Sequence, residues 1–176
     1  MQINMSELFA VEGSSKTWQV PLELKEVHVN GECYPVTEAD PVEITIVHTG
    51  NRRMEIMGSV NLHLQIPCGR CLKPVDVPFR LKPDREVDTN QTEEERIAAL
   101  DEQPYVQGYL LDVDRLVYDE LIVNMPMKVL CRQDCKGVCP KCGADRNLQD
   151  CGCDLTELDP RMSVIRDIFR ASQEKH

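Results

Sequence analysis

Six of the chain's nine cysteines fall between Cys131 and Cys153. They run Cys131-Arg-Gln-Asp-Cys135-Lys-Gly-Val-Cys139-Pro-Lys-Cys142-Gly143 and, after seven more residues, Cys151-Gly-Cys153. Two thiolates separated by two residues can face one ion. A glycine just after the second lets backbone N–H groups turn toward the sulfurs. Cys139-Pro-Lys-Cys142-Gly143 therefore has the form of a zinc knuckle, and Cys151 and Cys153 stand ready to complete it. This signal is far more specific than a lone C-x-x-C. It fixes the chemistry of the segment and leaves the function open.

At 176 residues the chain is one domain, or one domain with a small appended module. Apolar residues make up 41%, enough for a core, whereas aromatics at 5% offer few stacking platforms for bases. No apolar run approaches the roughly 18 residues of a membrane span, and the start Met1-Gln-Ile-Asn lacks the basic and apolar blocks of a signal peptide. The expectation is a cytoplasmic protein with no membrane partner. Its cysteines would be reduced and available to metal rather than tied in disulfides.

The net charge is −10, from 20 basic and 30 acidic residues. It is unevenly placed. Residues 126–176 hold nine Lys/Arg and eight Asp/Glu, net +1, which leaves −11 for residues 1–125. Asp84 to Gln103 alone carries eight acids against two arginines. Generic attraction to nucleic acid is therefore not expected. The ordinary reading of the acidic run is a solvated loop.

Ahead of the cysteines, apolar residues alternate as in strands. Trp18, Val20, Leu22 and Leu24 share one parity, and Val27 and Val29 the other, with an irregularity near Lys25-Glu26. Asn30-Gly31 is a turn signal. Val42, Ile44 and Ile46 alternate again. The longest regular signal follows: Met54, Ile56, Gly58, Val60, Leu62, Leu64 and Ile66 predict a long half-buried strand, with Gly58 as a possible bend. After Cys68-Gly-Arg-Cys71, Val75, Val77, Phe79 and Leu81 alternate, so this cysteine pair belongs in a hairpin turn. Glu93–Leu100 reads as a short acidic helix and Tyr105–Leu111 as a last extended segment. Asp112 is an N-cap for a helix with Val113, Leu116, Val117 and Leu121 on one face, closed by Pro126. Asp159-Pro160 opens a final amphipathic helix.

The fold class expected is α+β: an antiparallel β-sheet with a packed helix, a cysteine-rich zinc module and a C-terminal helix. The corresponding segments are 1–125, 126–158 and 159–176. Setting Cys33 aside leaves four close pairs: Cys68/Cys71, Cys131/Cys135, Cys139/Cys142 and Cys151/Cys153. Eight thiolates make two tetrahedral four-cysteine zinc sites. Joining 139/142 to 151/153 closes a loop of only eight residues and leaves 131/135 to meet 68/71. A competing scheme groups 131/135 with 139/142, although the three residues between Cys135 and Cys139 are tight for it.

Other chemistries fit less well. Cys135-x3-Cys139-x2-Cys142 has the spacing of a radical iron–sulfur motif, but the chain lacks the length and the β/α alternation for that fold. Cys68 and Cys71 make a candidate redox pair, yet that chemistry wants a helix N-terminus at the first cysteine and strand signals flank both. Cys33 reads as a half-buried structural thiol. His28, His48 and His63 lie in strand segments, with no nucleophile or acid at suggestive spacing. No catalytic motif, phosphate loop or small-molecule substrate site is evident, and four thiolates per metal leave no position open for a catalytic water.

The joint pattern resembles a known family. Cys68-Gly-Arg-Cys71-Leu72 follows a long strand, Gly108-Tyr-Leu-Leu-Asp112 leads into a helix ending at Asn124-Met-Pro126, and Leu130-Cys131, Asp134 to Gly143, Asn147-Leu148 and Cys151-Gly-Cys153 close on Asp159-Pro160-Arg161. This is similar to the YceD family of large ribosomal RNA subunit accumulation proteins in its cysteine-rich form, over roughly residues 15–171. The resemblance implies a non-enzymatic factor in large-subunit ribosomal RNA accumulation and ribosome biogenesis. The implied partner is a ribosomal or RNA-processing protein, ribosomal RNA, or both. Some members keep the hairpin C-x-x-C but lack the counterpart of Cys139–Cys153. That implies one metal module from 68/71 with 131/135 and a separable one from 139/142 with 151/153. The nearest thing to a basic contact surface is Arg70, Lys73, Lys128, Arg132, Lys136, Lys141 and Arg146. Two other functions stay open on the residues: a thiol-disulfide protein using Cys68 and Cys71, and a zinc adaptor that binds only protein.

Overall fold

Seven alternate apolar positions dictate the central element of a computed structural model that describes residues 1–98 and 103–153. Arg53–Pro67 forms one 15-residue strand, β6, whose even-numbered residues Met54, Ile56, Val60, Leu62, Leu64 and Ile66 are all buried. A side-chain period of two carries all of them to one face. Burying each contributes about 1.5–3 kcal/mol relative to exposure.

β6 is the common neighbour in a seven-stranded sheet made wholly of antiparallel pairs. Its first half pairs with β5 (Val42–Gly50) and β8 (Asp84–Asp88), its second half with β4 (Glu32–Ala39) and β7 (Pro74–Leu81). β2 (Ser15–Val20) extends the sheet beyond β5, and β3 (Glu26–Val29) beyond β4. The change of partners falls near Gly58, whose N–H donates to the Pro83 carbonyl at 2.8 Å. A Cβ there would lie 2.9 Å from Pro83 Cγ, so glycine is used for close approach. The expected irregularity around Lys25-Glu26 is the break between β2 and β3, and Pro21 begins it.

A second, three-stranded sheet pairs β1 (Gln2–Asn4) with β10 (Leu110–Asp112) and β10 with β9 (Val106–Gln107), all antiparallel. The extended segment expected at Tyr105–Leu111 is thus a tight hairpin, turned at Gly108 with φ of +59°. β1 and the 3-10 turn Ser6–Ala10 were not foreseen, since three residues are too short to show a period. Asp112 caps the helix α2 (Val113–Val123) by accepting the Arg115 N–H at 3.1 Å. The buried face of α2 is Val113, Leu116, Val117 and Leu121, which share one core with the sheet residues. Arg85 of β8 donates to Glu120 of α2 at 2.6 Å.

The acidic run is only partly the loop that its charge suggested. Asp84–Asp88 is strand, because Val87 is fully buried against the core while its charged neighbours face outward. Thr92 and Glu95 then form a reciprocal capping box that starts helix α1 (Glu93–Ala98). With ten strands against two α-helices among the described residues, the architecture is dominated by antiparallel β-structure. The α+β expectation is met only in part, since it weighted the helices too heavily. The C-terminal helix expected at 159–176 lies outside the described residues. No helix among the described residues is long and apolar enough to cross a membrane.

The chain divides into two compact units. Among the described residues, one comprises Met1–Cys68 with Lys73–Cys131; the other comprises Gly69–Leu72 with the described residues from Arg132 onward.

Candidate metal centres

The eight paired cysteines gather into two groups of four. The sulfurs of Cys68, Cys71, Cys131 and Cys135 lie within 4.8 Å of one another, as do those of Cys139, Cys142, Cys151 and Cys153. This is the grouping reached by closing the short loop, not the competing scheme that joined 131/135 to 139/142. A tetrahedral ion with metal–sulfur bonds of about 2.3 Å needs sulfur pairs about 3.8 Å apart, so both groups are of a size to close on one. None of the eight is joined in a disulfide. Cys68, Cys71, Cys135 and Cys139 are buried, and Cys131 and Cys142 are exposed. Buried sulfurs facing one another with no covalent bond suit a soft or borderline cation.

Two turns present the first ligands, and they are built alike. In the β6–β7 hairpin the Cys68 N–H donates to the Lys73 carbonyl at 2.8 Å, and Leu72 takes a φ of +61°. In the knuckle the Cys139 N–H donates to the Ala144 carbonyl at 2.8 Å, and Gly143 takes a φ of +74°. Each turn closes five residues on, with a left-handed residue directly after its second cysteine.

That geometry sets the local electrostatics. Backbone N–H groups of Cys142 and Lys141 donate to the Cys139 sulfur and lower its pKa to about 6. Cys153 moves the other way, to about 12, because it hydrogen-bonds to Cys142, Cys151 and Cys139 and so holds its proton beside them. The two shifts run in opposite directions within one quartet, so its sulfurs differ in how readily they give up a proton.

Asn147 organises the surrounding loop, although the sequence reading gave it no structural role. Its carboxamide oxygen accepts from the Lys136 N–H and the Arg132 guanidinium, both at 2.8 Å. Its NH2 donates to Asp145 at 2.7 Å and lies 3.5 Å from the Cys135 sulfur. Asn and Asp two residues apart are a turn-forming signal that could have marked a turn here, though not its bonds to Arg132 and Lys136.

Of the seven cations singled out, Arg70, Lys73, Lys128, Arg132, Lys136 and Lys141 are exposed, and Arg146 is half-buried. Two also serve the loop itself. Arg70 donates to the Cys135 carbonyl at 2.7 Å, and Arg132 bonds to Asn147 and pairs with Asp134.

Cys33 is not the half-buried thiol expected: it is exposed on β4 and donates to Glu26 at 3.2 Å. The residue sits on the outward face of an edge hairpin, opposite the parity of Val27, which turns inward. His48 is buried, with Nδ1 3.1 Å from the Val11 carbonyl, and His63 pairs with Asp76.

Comparison with known proteins adds to this geometry. The sequence model described as large ribosomal RNA subunit accumulation protein YceD matches residues 56–169. An uncharacterized protein of Mycobacterium tuberculosis and one of Mycobacterium bovis are each 29% identical over 109 residues, covering 58% of this chain and 49% of theirs. The Arabidopsis thaliana protein named large ribosomal RNA subunit accumulation protein YCED homolog 1, chloroplastic, is 28% identical over 65 residues, 37% of this chain and 20% of its own. The chain thus spans about half the length of the mycobacterial relatives. No solved structure matches. The family match covers both C-x-x-C turns, the helix α2 and all eight clustered cysteines, and the chain belongs to the YceD family.

Proposed function

We propose that this chain is a non-enzymatic factor supporting the accumulation of large-subunit ribosomal RNA, acting in the cytoplasm, with two structural zinc ions. The observation that carries the reading is the coincidence of the YceD match with two four-sulfur groups inside the matched residues. Cys68, Cys71, Cys131 and Cys135 would hold one ion, and Cys139, Cys142, Cys151 and Cys153 the other. Four thiolates fill a tetrahedral shell and leave no open position for water, so the metal would fix loop geometry rather than activate a nucleophile. What it fixes is a set of short loops bearing Arg70, Lys73, Lys128, Arg132, Lys136, Lys141 and Arg146, the proposed contact residues for ribosomal RNA or for a ribosomal or RNA-processing protein. On this reading 1–125 is the β-rich domain, 126–158 the zinc module and 159–176 a C-terminal helix.

The thiol-disulfide alternative gains little support. Cys68 and Cys71 sit in a turn between strands, both buried, with no helix N-terminus to activate the first sulfur.

The test is metal analysis of protein purified without added metal, joined to a crosslinking pull-down from cells with and without ribonuclease. Two zinc ions per chain, and ribosomal or RNA-processing components among the captured material, are the expected result. Reactive Cys68 and Cys71 with no bound metal would put the redox reading in its place. Metal-loaded protein that captures no ribosomal or RNA-processing component would leave only the adaptor reading.

A further inference from the structure

One group of metal-ligating side chains stands apart from the eight clustered cysteines: Glu26 and His28 on β3 and Cys33 on β4. The sheet puts them together for a simple reason. β3 alternates, so Val27 is buried and Val29 half-buried against the core, while Glu26 and His28 face out. Asn30 and Gly31, with φ of +52° and +86°, make the two-residue turn that pairs His28 directly with Cys33. The Tyr118 hydroxyl holds the strand by donating to the His28 carbonyl at 2.7 Å.

The three ligand atoms lie within 4.8 Å of one another. Glu26 bridges the other two, with one oxygen 3.1 Å from His28 Nε2 and the other 3.2 Å from Cys33 Sγ. An ion with ligand bonds of about 2.0–2.3 Å needs tetrahedral edges of about 3.3–3.8 Å, so small rotations of exposed side chains suffice to admit one. Thiolate, imidazole and carboxylate together suit borderline divalent ions and disfavour magnesium or calcium, which want an all-oxygen shell.

We propose that Glu26, His28 and Cys33 form a third metal site, independent of the two four-cysteine groups, that takes Zn(II) or a divalent ion of its class with one coordination position open to solvent. Binding replaces the Cys33 S–H bond with a sulfur–metal bond, and the proton leaves to water. No electrons move. Three exposed ligands hold less tightly than four thiolates, so the ion here exchanges while the other sites stay loaded. The open position accepts water or a donor atom from another molecule.

Cys33 reports on its own occupancy. The full chain, carrying its tightly bound metal, is treated with iodoacetamide with and without added Zn(II), and alkylation at Cys33 is followed by peptide mass spectrometry. Saturating Zn(II) is expected to slow that alkylation roughly tenfold or more, because metal-held sulfur is withheld from the electrophile. A moderate chelator should reverse the effect, and Mg(II) should not produce it. His28→Ala should abolish the protection while leaving Cys33 available. As a second measurement, Co(II) added to wild type whose four-cysteine groups are already filled with zinc should give a thiolate-to-cobalt absorption band that Cys33→Ser, treated alike, lacks. Equal alkylation with and without Zn(II), protection that survives His28→Ala, or identical cobalt spectra would overturn the proposal. The alkylation readouts at Cys33 do not depend on how many ions the four-cysteine groups hold, the cobalt comparison is made with those groups already filled by zinc, and neither depends on any ribosomal role.

Discussion

Leu72 and Gly143 hold the same place in two different turns, each one residue beyond the second cysteine of a C-x-x-C and each left-handed, with φ of +61° and +74°. Only glycine takes that conformation freely; an L side chain is strained there by about 1–2 kcal/mol. Leu72 is also 69% exposed, so packing offsets little of its strain. Leu72→Gly should therefore strengthen the first turn by up to about 1 kcal/mol, the gain being trimmed by glycine's greater freedom when unfolded. Gly143→Leu should weaken the second by about 1–2 kcal/mol. Thermal melting and metal retention against a graded chelator measure both. Opposite signs for the two changes are expected, and equal signs would count against the shared geometry.

The loop after Cys135 depends on a close approach. A Cβ on Gly137, where φ is +75°, would stand 2.8 Å from the Arg70 carbonyl oxygen, the same oxygen that accepts the Val138 N–H at 3.0 Å. Gly137→Ala must break that bond or move the loop, at a cost of about 1–3 kcal/mol. Asn147→Ala removes several hydrogen bonds at once, each worth about 0.5–1.5 kcal/mol. Hydrogen exchange is expected to rise across residues 132–153 in both variants, with β5 and β6 unchanged. Cys151→Ser should act in that same region, whereas Cys68→Ser, at a fully buried position directly after the longest strand, should also loosen the sheet.

Protons released on metal loading give a pH test for the second cluster. With its pKa lowered to about 6, Cys139 is already a thiolate at pH 7.5 and releases no proton to the metal. Cys153, raised to about 12, is protonated there and must release one. Release per ion should therefore fall short of four at pH 7.5 and increase as pH drops through about 6. In the metal-free chain the sign for stability follows from the same values. The depressed Cys139 contributes stability above the unfolded thiol range, and loses it as pH falls through about 6. The raised Cys153 contributes below that range, and loses it as pH climbs through about 12. Calorimetric titration in buffers of different ionisation enthalpy counts the protons. A constant four across the range would contradict the thiolate at Cys139.

Much of this was legible in the sequence, because period two and cysteine spacing are local signals. Met54 to Ile66 read directly as β6, Asp112 as the cap of α2, and the cysteine pairs as two quartets. What stayed hidden depends on partners distant along the chain. β1 is three residues that become strand only against Leu110–Asp112. Val87 counts as core only because β8 adds to β6, and in the sequence it is lost among acids. Cys33 read as a lone half-buried thiol because its neighbours across the turn, His28 and Glu26, become neighbours only once the hairpin register is set. Asn147 bonds back to residues eleven and fifteen positions earlier, a reach that no local pattern reports.

On the proposed role, the acidic stretch tests how a protein of net charge −10 would act on ribosomal RNA. Ribosomal and RNA-processing proteins are mostly basic, so an acidic face speeds their encounter and repels stray phosphates. Glu94 and Glu95 are exposed on α1, free of the core. Glu95 also closes the capping box with Thr92, a role that glutamine can fill. Replacing Glu93, Glu94 and Glu95 together with Gln should therefore leave folding and metal content intact. Association with a basic partner should slow by several-fold at low salt, with most of the difference gone near physiological ionic strength, where the screening length is about 8 Å. Weak binding of unrelated RNA, at or above roughly the 10⁻⁴–10⁻⁶ M range, should tighten in the same variant as repulsion falls. The measurements are a pull-down at two salt concentrations and an RNA titration. If partner capture and RNA affinity are both unchanged at low salt, the segment is simply a solvated face, and the basic residues around the cysteine turns must account for recognition alone.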